Sequence, residues 1–285
     1  MKIITTIKEM REHSENCRKN GDSVGFVPTM GALHDGHLSL IRASAADNNI
    51  TIVSIFVNPT QFGANEDLDK YPRALERDAD LSAESGADVI FAPTAAEMYT
   101  PNYTTYVNVE SLTQGLCGKS RPTHFRGVTT VVAKLFNIVS PCRAYFGQKD
   151  AQQLAIICKM VADLNMPVEI IPCPIVREPD GLAMSSRNVY LTPAEREQAT
   201  ILCESLTTAK DLITAGETSA EIIKEKITSI LNSKNLATID YVEIVDFATF
   251  REIETIKPPT LIALAVKFGN TRLIDNLIIN EVQIT

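Results

Sequence analysis

The chain has 285 residues, 45% of them apolar and 22% charged, which is enough apolar matter for a sizeable core and favours two modest domains over one. Its 27 basic against 35 acidic residues give a formal charge of -8, the opposite of the broad positive footprint that nucleic-acid binding requires. No apolar run approaches the roughly 20 residues of a membrane span, so neither nucleic acid nor membrane is an expected partner.

From the N-terminus, Met1 to Thr6 carries no long apolar run ahead of a small-residue cleavage site, and secretion is not expected. The first strand is expected at Val24 to Pro28 and leads into a helix over Leu38 to Asp47. Between them lies Pro28-Thr29-Met30-Gly31-Ala32-Leu33-His34-Asp35-Gly36-His37. In a parallel sheet ligands bind at the carboxyl ends of strands, where a helix N-terminus offers free N–H groups to phosphate. His34 and His37, three apart, share one face of the first helical turn, where both imidazoles can donate to one phosphate. Gly36 would let a flat base approach the backbone. An i, i+3 histidine pair can also ligate a metal, but Cys17, Cys117 and His124 supply no convincing further ligand spacing, and no metal ligand is assigned.

A second strand, Thr51 to Val57, stops at Asn58-Pro59-Thr60-Gln61. Asn-Pro alone marks a turn, yet Asn58 and Gln61 together place two amides at a strand end, suited to a small ligand with hydroxyls and a carboxylate. A helix over Pro72 to Ser85, a strand over Asp88 to Ala92, a longer helix over Gly127 to Val139 and a strand over Arg143 to Phe146 follow. That strand also ends in glycine ahead of a helix, Ala151 to Leu164: in Gly147-Gln148-Lys149-Asp150, Lys149 could neutralise phosphate while Asp150 caps the helix or holds ribose hydroxyls. By itself this is a solvated turn, and its recurrence at a third strand end gives it weight. Val168 to Ile171 completes the alternation of a doubly wound, mostly parallel sheet.

Prolines 172, 174 and 179 then crowd the chain, and a domain boundary is expected near residue 175, dividing a Rossmann-like unit, 1–175, from a smaller α+β unit, 176–285. The loop Met184-Ser185-Ser186-Arg187 combines hydroxyls with a guanidinium and could fold over a triphosphate as a mobile lid. Thr192-Pro193-Ala194-Glu195 is a capping box, and Thr218 to Glu221 repeats its spacing, so two helices start there. Alternating runs at Ile239 to Phe247, Leu261 to Phe268 and Leu273 to Ile279 predict a small sheet. Six cysteines without CxxC spacing (Cys17, Cys117, Cys142, Cys158, Cys173, Cys203) read as reduced core residues of a cytoplasmic protein.

Taken together these stretches resemble the pantoate–β-alanine ligase family of HIGH-type nucleotidyltransferases. The resemblance runs through Pro28 to His37, Phe56 to Phe62, Asp67 to Arg73, Arg121 to Val128, Tyr145 to Gln153 and Met184 to Asn188; Thr123 stands where many members carry glycine. It implies that ATP activates pantoate as an adenylate, releasing pyrophosphate, and that β-alanine then displaces AMP. It further implies catalytic roles for His34, His37 and Lys149. ATP would be held by Met30, His34, His37, Gly147, Lys149, Asp150, Val176, Met184, Ser185, Ser186 and Arg187, and pantoate or β-alanine by Asn58, Gln61 and Gln153. Mg²⁺ is expected to accompany ATP on phosphate oxygens and water, and a homodimer is implied. The rivals are another adenylyl-transferring member, including a stripped aminoacyl-tRNA synthetase, which the acidic charge disfavours, and a nucleotide sensor, which would be expected to have lost His37 or Lys149.

Overall fold

Strand and helix alternate from the start of the chain in a computed structural model that describes residues 1–63, 66 and 68–280. The order is β1 (Lys2–Ile4), α1 (Ile7–Asn20), β2 (Val24–Thr29), α2 (Asp35–Asp47), β3 (Ile50–Ile55), α3 (Leu75–Glu84), β4 (Val89–Phe91), α4 (Ala95–Met98), α5 (Leu116–Ser120), α6 (His124–Val139), β5 (Arg143–Gly147), α7 (Ala151–Asp163) and β6 (Glu169–Cys173). Then come α8 (Pro193–Ala199), α9 (Ile201–Thr214), α10 (Ala220–Asn232), β7 (Ala237–Asp246), β8 (Thr260–Phe268) and β9 (Thr271–Ile279).

The first six strands form one parallel sheet in the order β1-β4-β3-β2-β5-β6. Successive side chains on a strand point to opposite faces. Phe26, Ile52, Phe91 and Phe146 therefore join Met10, Val132 and Ile156 on one side, while Val27, Val53, Ile90 and Tyr145 meet Leu38, Ile41 and Ala79 on the other. A sheet covered on both faces accounts for strands that are apolar throughout. Pro172 is tolerated because β6 lies at the sheet edge, where one ladder hydrogen bond can be spared.

The chain lays β3 and β4 on one side of β2, and β5 and β6 on the other. β2 pairs with β3 from Val24 to Thr29 but with β5 only at Gly25–Arg143 and Phe26–Ala144. The two central strands fork toward their carboxyl ends, and the loops leaving them diverge. This is the topological switch point at which open parallel sheets hold ligands.

The second sheet is antiparallel, β7-β8-β9. Ile262, Leu264 and Val266 of its centre pack on Leu206 of α9 and Ile223 and Ile227 of α10. A small cluster of Leu116 and Ala151 with Val245, Leu261 and Ala263 joins helices α5 and α7 to this second sheet.

Several local expectations change. β1 and α1 precede the first strand anticipated from sequence. Thr192 and Glu195 do form a capping box, but the helix they start breaks at Thr200 into α8 and α9. At the next helix Ser219, not Thr218, accepts from the Ile222 N–H as the cap. Among the cysteines, Cys17 and Cys173 are buried but Cys142 and Cys158 are exposed, because Cys142 precedes β5 and Cys158 falls on the outer side of α7. Asp67 lies outside the described residues.

Candidate active site

The loop leaving β2 turns sharply through two left-handed residues, Gly31 at φ 79° and Ala32 at φ 51°. Asp78 of α3, almost wholly buried, holds that turn: its carboxylate accepts from the N–H groups of Ala32 (2.8 Å) and Leu33 (2.9 Å). His34 then caps α2 through an imidazole, since its Nδ1 accepts from Gly36 N–H at 3.2 Å and His37 Nδ1 accepts from His34 N–H at 3.4 Å. A backbone N–H can only donate, so both Nδ1 atoms are acceptors and each ring carries its proton on Nε2. Burial, reinforced by the Lys149 charge, lowers His34 to about 4. Burial and then the His34 and Lys149 charges push His37 well below the usual imidazole range. Near neutral pH the pair therefore presents two uncharged Nε2–H donors, with ring centroids 4.1 Å apart.

Gly36 has a role different from the one the sequence suggests. A Cβ there would lie 2.8 Å from His34 Cε1, so the glycine leaves room for the capping imidazole.

Past β3, Asn58 is buried and its amide is committed. Its Nδ2 donates to Gln61 Oε1 and Gly127 O, both at 3.1 Å, and its Oδ1 accepts from Thr60 and from Tyr99 OH. Asn58 therefore shapes the Pro59–Gln61 turn and orients Gln61. Gln61 Nε2 donates to Met30 Sδ at 2.9 Å. Its carbonyl accepts from His124 Nδ1 at 3.0 Å and Arg121 Nη2 at 3.3 Å, and Arg121 also forms an ion pair with Glu66. Burial and the adjacent Arg121 charge bring His124 down to about 4. Helix α6 reaches this turn through Gly127, where a Cβ would stand 2.4 Å from Thr60 O.

At the end of β5, residues 148–150 form a short 3₁₀ turn that presents Lys149 and Asp150, with Gln153 one helical turn later. Asp150 makes no capping hydrogen bond, leaving its carboxylate toward the cleft. The segment after Val176 is more braced than a loose lid. Arg177 and Ala183 form an antiparallel bridge, Met184 N–H donates to Val176 O at 3.0 Å, and Ser186 Oγ donates to Ala32 O at 3.1 Å.

These pieces close around one cleft of about 240 Å³ at the fork. Met30, His34, His37, Asn58, Gln61, Gly147, Lys149, Asp150, Gln153, Val176, Met184, Ser185, Ser186 and Arg187 all line it. Its lining combines the apolar side chains of Phe56, Val128, Val131, Val132 and Leu135 with the cations Arg121, Lys149 and Arg187 and the imidazoles. This supplies the local cation cluster that an anion needs in a chain of net charge -8. Asp150 is the only carboxylate lining it among the described residues, and no three His, Cys, Asp or Glu side chains converge there or elsewhere in them as a metal cage. Asp78, Arg121, His124 and Tyr99 received no role from sequence. The Arg121-to-Val128 stretch was visible as a motif, but which carbonyl it grips depends on the fold.

The family model for pantoate-beta-alanine ligase matches residues 2–278. The chain is 60% identical over 279 residues to the pantothenate synthetase of Acetivibrio thermocellus, covering 98% of this chain and 99% of that one. It is 57% identical to that of Thermotoga petrophila, with 98% and 100% covered. Among solved structures, pantothenate synthetase from Thermus thermophilus superposes with a TM-score of 0.93 at 43% identity, covering 99% and 100%. The Francisella tularensis pantoate-beta-alanine ligase, complexed with beta-gamma ATP and beta-alanine, does so at 0.80 and 36% identity, covering 98% and 97%. With its parallel sheet forked over this cleft, the chain belongs to the pantoate–β-alanine ligase family.

Proposed function

We infer that the chain condenses pantoate with β-alanine at the expense of ATP in two steps within the cleft. A pantoate carboxylate oxygen attacks the α-phosphorus, the bond to the β-phosphate oxygen breaks, and pyrophosphate leaves. The β-alanine amine then attacks the acyl carbon of the adenylate, AMP departs, and the amine proton is lost to give pantothenate.

The observation that carries this reading is the pairing of two neutral Nε2–H donors at the α2 N-terminus with Lys149 across the fork. Charge builds on the α-phosphate oxygens during adenylation, and donors fixed in advance stabilise it without reorganising. His34, His37 and Lys149 take that role. Ser185, Ser186 and Arg187 face the departing phosphates, while Met30, Gly147, Asp150, Val176 and Met184 surround the nucleoside. Gln61 and Gln153 bind the acid beside an apolar wall that suits its branched carbon skeleton, and Asn58 holds Gln61 in place. Mg²⁺ accompanying ATP would be held mainly by phosphate oxygens and water, with Asp150 the carboxylate of the cleft lining nearest at hand.

The same reading takes 1–175 as the catalytic unit and 176–285 as the unit that carries the Ser-Ser-Arg segment. It also takes the enzyme as a cytoplasmic homodimer; the free state of all six cysteines supports that compartment, and no helix among the described residues can cross a membrane. Light scattering tests the dimer. The chemistry is tested by exchange: labelled pyrophosphate should enter ATP when pantoate is present and β-alanine absent. ADP as the nucleotide product would overturn the mechanism.

A further inference from the structure

Strand β9 runs through Leu273-Ile274-Asp275-Asn276-Leu277-Ile278-Ile279, an apolar strand interrupted by two adjacent polar residues. Both are buried, at 2% and 5% exposure. Buried polar groups require partners, and these two find theirs outside their own sheet. Asn276 Nδ2 donates to Gln148 O at 3.0 Å and to Lys149 O at 2.8 Å. Asp275 takes the guanidinium of Arg177 in a two-point contact, at 2.6 and 3.0 Å, and the same Arg177 donates to Gly181 O at 3.0 Å. Asp275 also accepts from Asn276 N–H at 2.8 Å.

We propose that Asn276 is a positioning residue for Lys149: its amide, gripping two consecutive carbonyls of the 3₁₀ turn, sets where the ammonium group stands in the cleft. A planar NH₂ group has two donors, and here both serve adjacent peptide units, so the backbone on either side of the Lys149 Cα is fixed. Lys149 itself is a long, flexible side chain, and its reach is defined only as well as the backbone from which it starts. Asp275, one residue earlier, braces the Arg177–Ala183 bridge that leads into Ser185 and Arg187. One strand of the second sheet thereby registers two segments of the cleft against each other. This inference rests on the reading of Lys149 as a donor to the α-phosphate.

A double-mutant cycle on the full-length enzyme, followed by pantoate-dependent pyrophosphate exchange, tests it. The variants are Asn276→Ala, Asn276→Asp, which keeps the shape but has no hydrogen to donate, Lys149→Ala, and the double Lys149→Ala/Asn276→Ala. Misplacing a reacting group by about 1 Å costs roughly 10²-fold, so each Asn276 variant should lose roughly 10- to 100-fold in kcat while pantoate KM moves less than about threefold. Groups that act as a unit are not additive, so the double variant should be no slower than Lys149→Ala alone. If Lys149→Ala is impaired but both Asn276 variants turn over at the parent rate, the positioning role is overturned and the reading of Lys149 stands. If the losses multiply in the double variant, Asn276 acts on something other than Lys149 and the proposal is equally overturned. If Lys149→Ala turns over normally, the Lys149 assignment itself fails and takes this one with it. Urea midpoints near the parent value identify the variants in which a lost rate is not lost fold.

Discussion

His37 and Lys149 line the same cleft from the segments that follow β2 and β5, one as a neutral donor and the other as a charge. Removing one preorganised donor typically costs roughly 10²–10³-fold, so His37→Ala and Lys149→Ala should each lower kcat for adenylation by that factor, far more than either lowers stability, with His37→Ala also losing its hydrogen bond to His34 N–H. On the proposed roles Gln61 and Gln153 should behave differently, because an amide that held the acid would act on its binding. Unmatched polar partners cost roughly 1–3 kcal/mol, so alanine at either position should raise pantoate KM and leave ATP KM nearly unchanged. Protonation provides a further test. His34 and His124 both lie at about 4 against an ordinary 6.5, so between those values the unfolded chain binds protons that the folded chain refuses. Stability must then fall as pH drops from 6.5 toward 4, a trend that unfolding midpoints across that window will show, and the fall continues below because His37 is lowered too and the carboxylate of Glu66, held low by Arg121, is then protonated. By the same logic the kcat profile should carry no histidine inflection near 6.5.

At the scale of elements the junction of α6 with the Pro59–Gln61 turn is the most exacting contact. Gly127→Ala would drive a methyl to within 2.6 Å of Gln61 N and Cα, and overpacking of this kind costs roughly 1–3 kcal/mol. The expected result is a lower urea midpoint together with a higher pantoate KM, since the displaced backbone carries the amide. This contact also marks how far the sequence could be read. Strand ends followed by glycine or proline pointed to the loops after β2, β3 and β5, which line one cleft because the parallel sheet puts such ends on one edge. The partners that hold them were hidden: Asp78 lies 44 residues beyond His34 in sequence, and nothing local marks its carboxylate as the brace of that loop. β1 was missed because three residues make no pattern, and α1 because it buries only Met10, Ser14 and Cys17 on an otherwise polar surface. The polar pair in β9 sits in a run read only as an alternating strand, and nothing local marks the Asn276 target 127 residues away. Sequence likewise suggested a loose Ser-Ser-Arg lid, where the structure shows a bridged segment fastened to Ala32 by Ser186.

Across the whole molecule, the incomplete pairing of β2 with β5 means that the catalytic edge of the sheet is also its least zipped part. Beyond Phe26 and Ala144 the two strands, all of whose residues are described, share no rungs, so on its β2 side the main chain at the end of β5 looks across a wedge toward the cleft instead of toward a neighbouring strand. Local openings cost least where backbone bonds are fewest. Deuterium should therefore enter the Phe146 and Gly147 amides of the resting enzyme before it reaches Gly25 or Ala144. Adding ATP should slow exchange at the tip and leave the base unaltered, whereas uniform slowing along both strands would mean that the sheet moves as one rigid plate. In mechanical terms the first outcome would make the sheet a jaw with a fixed hinge, and substrate occupancy could be read from its tips without following any chemistry.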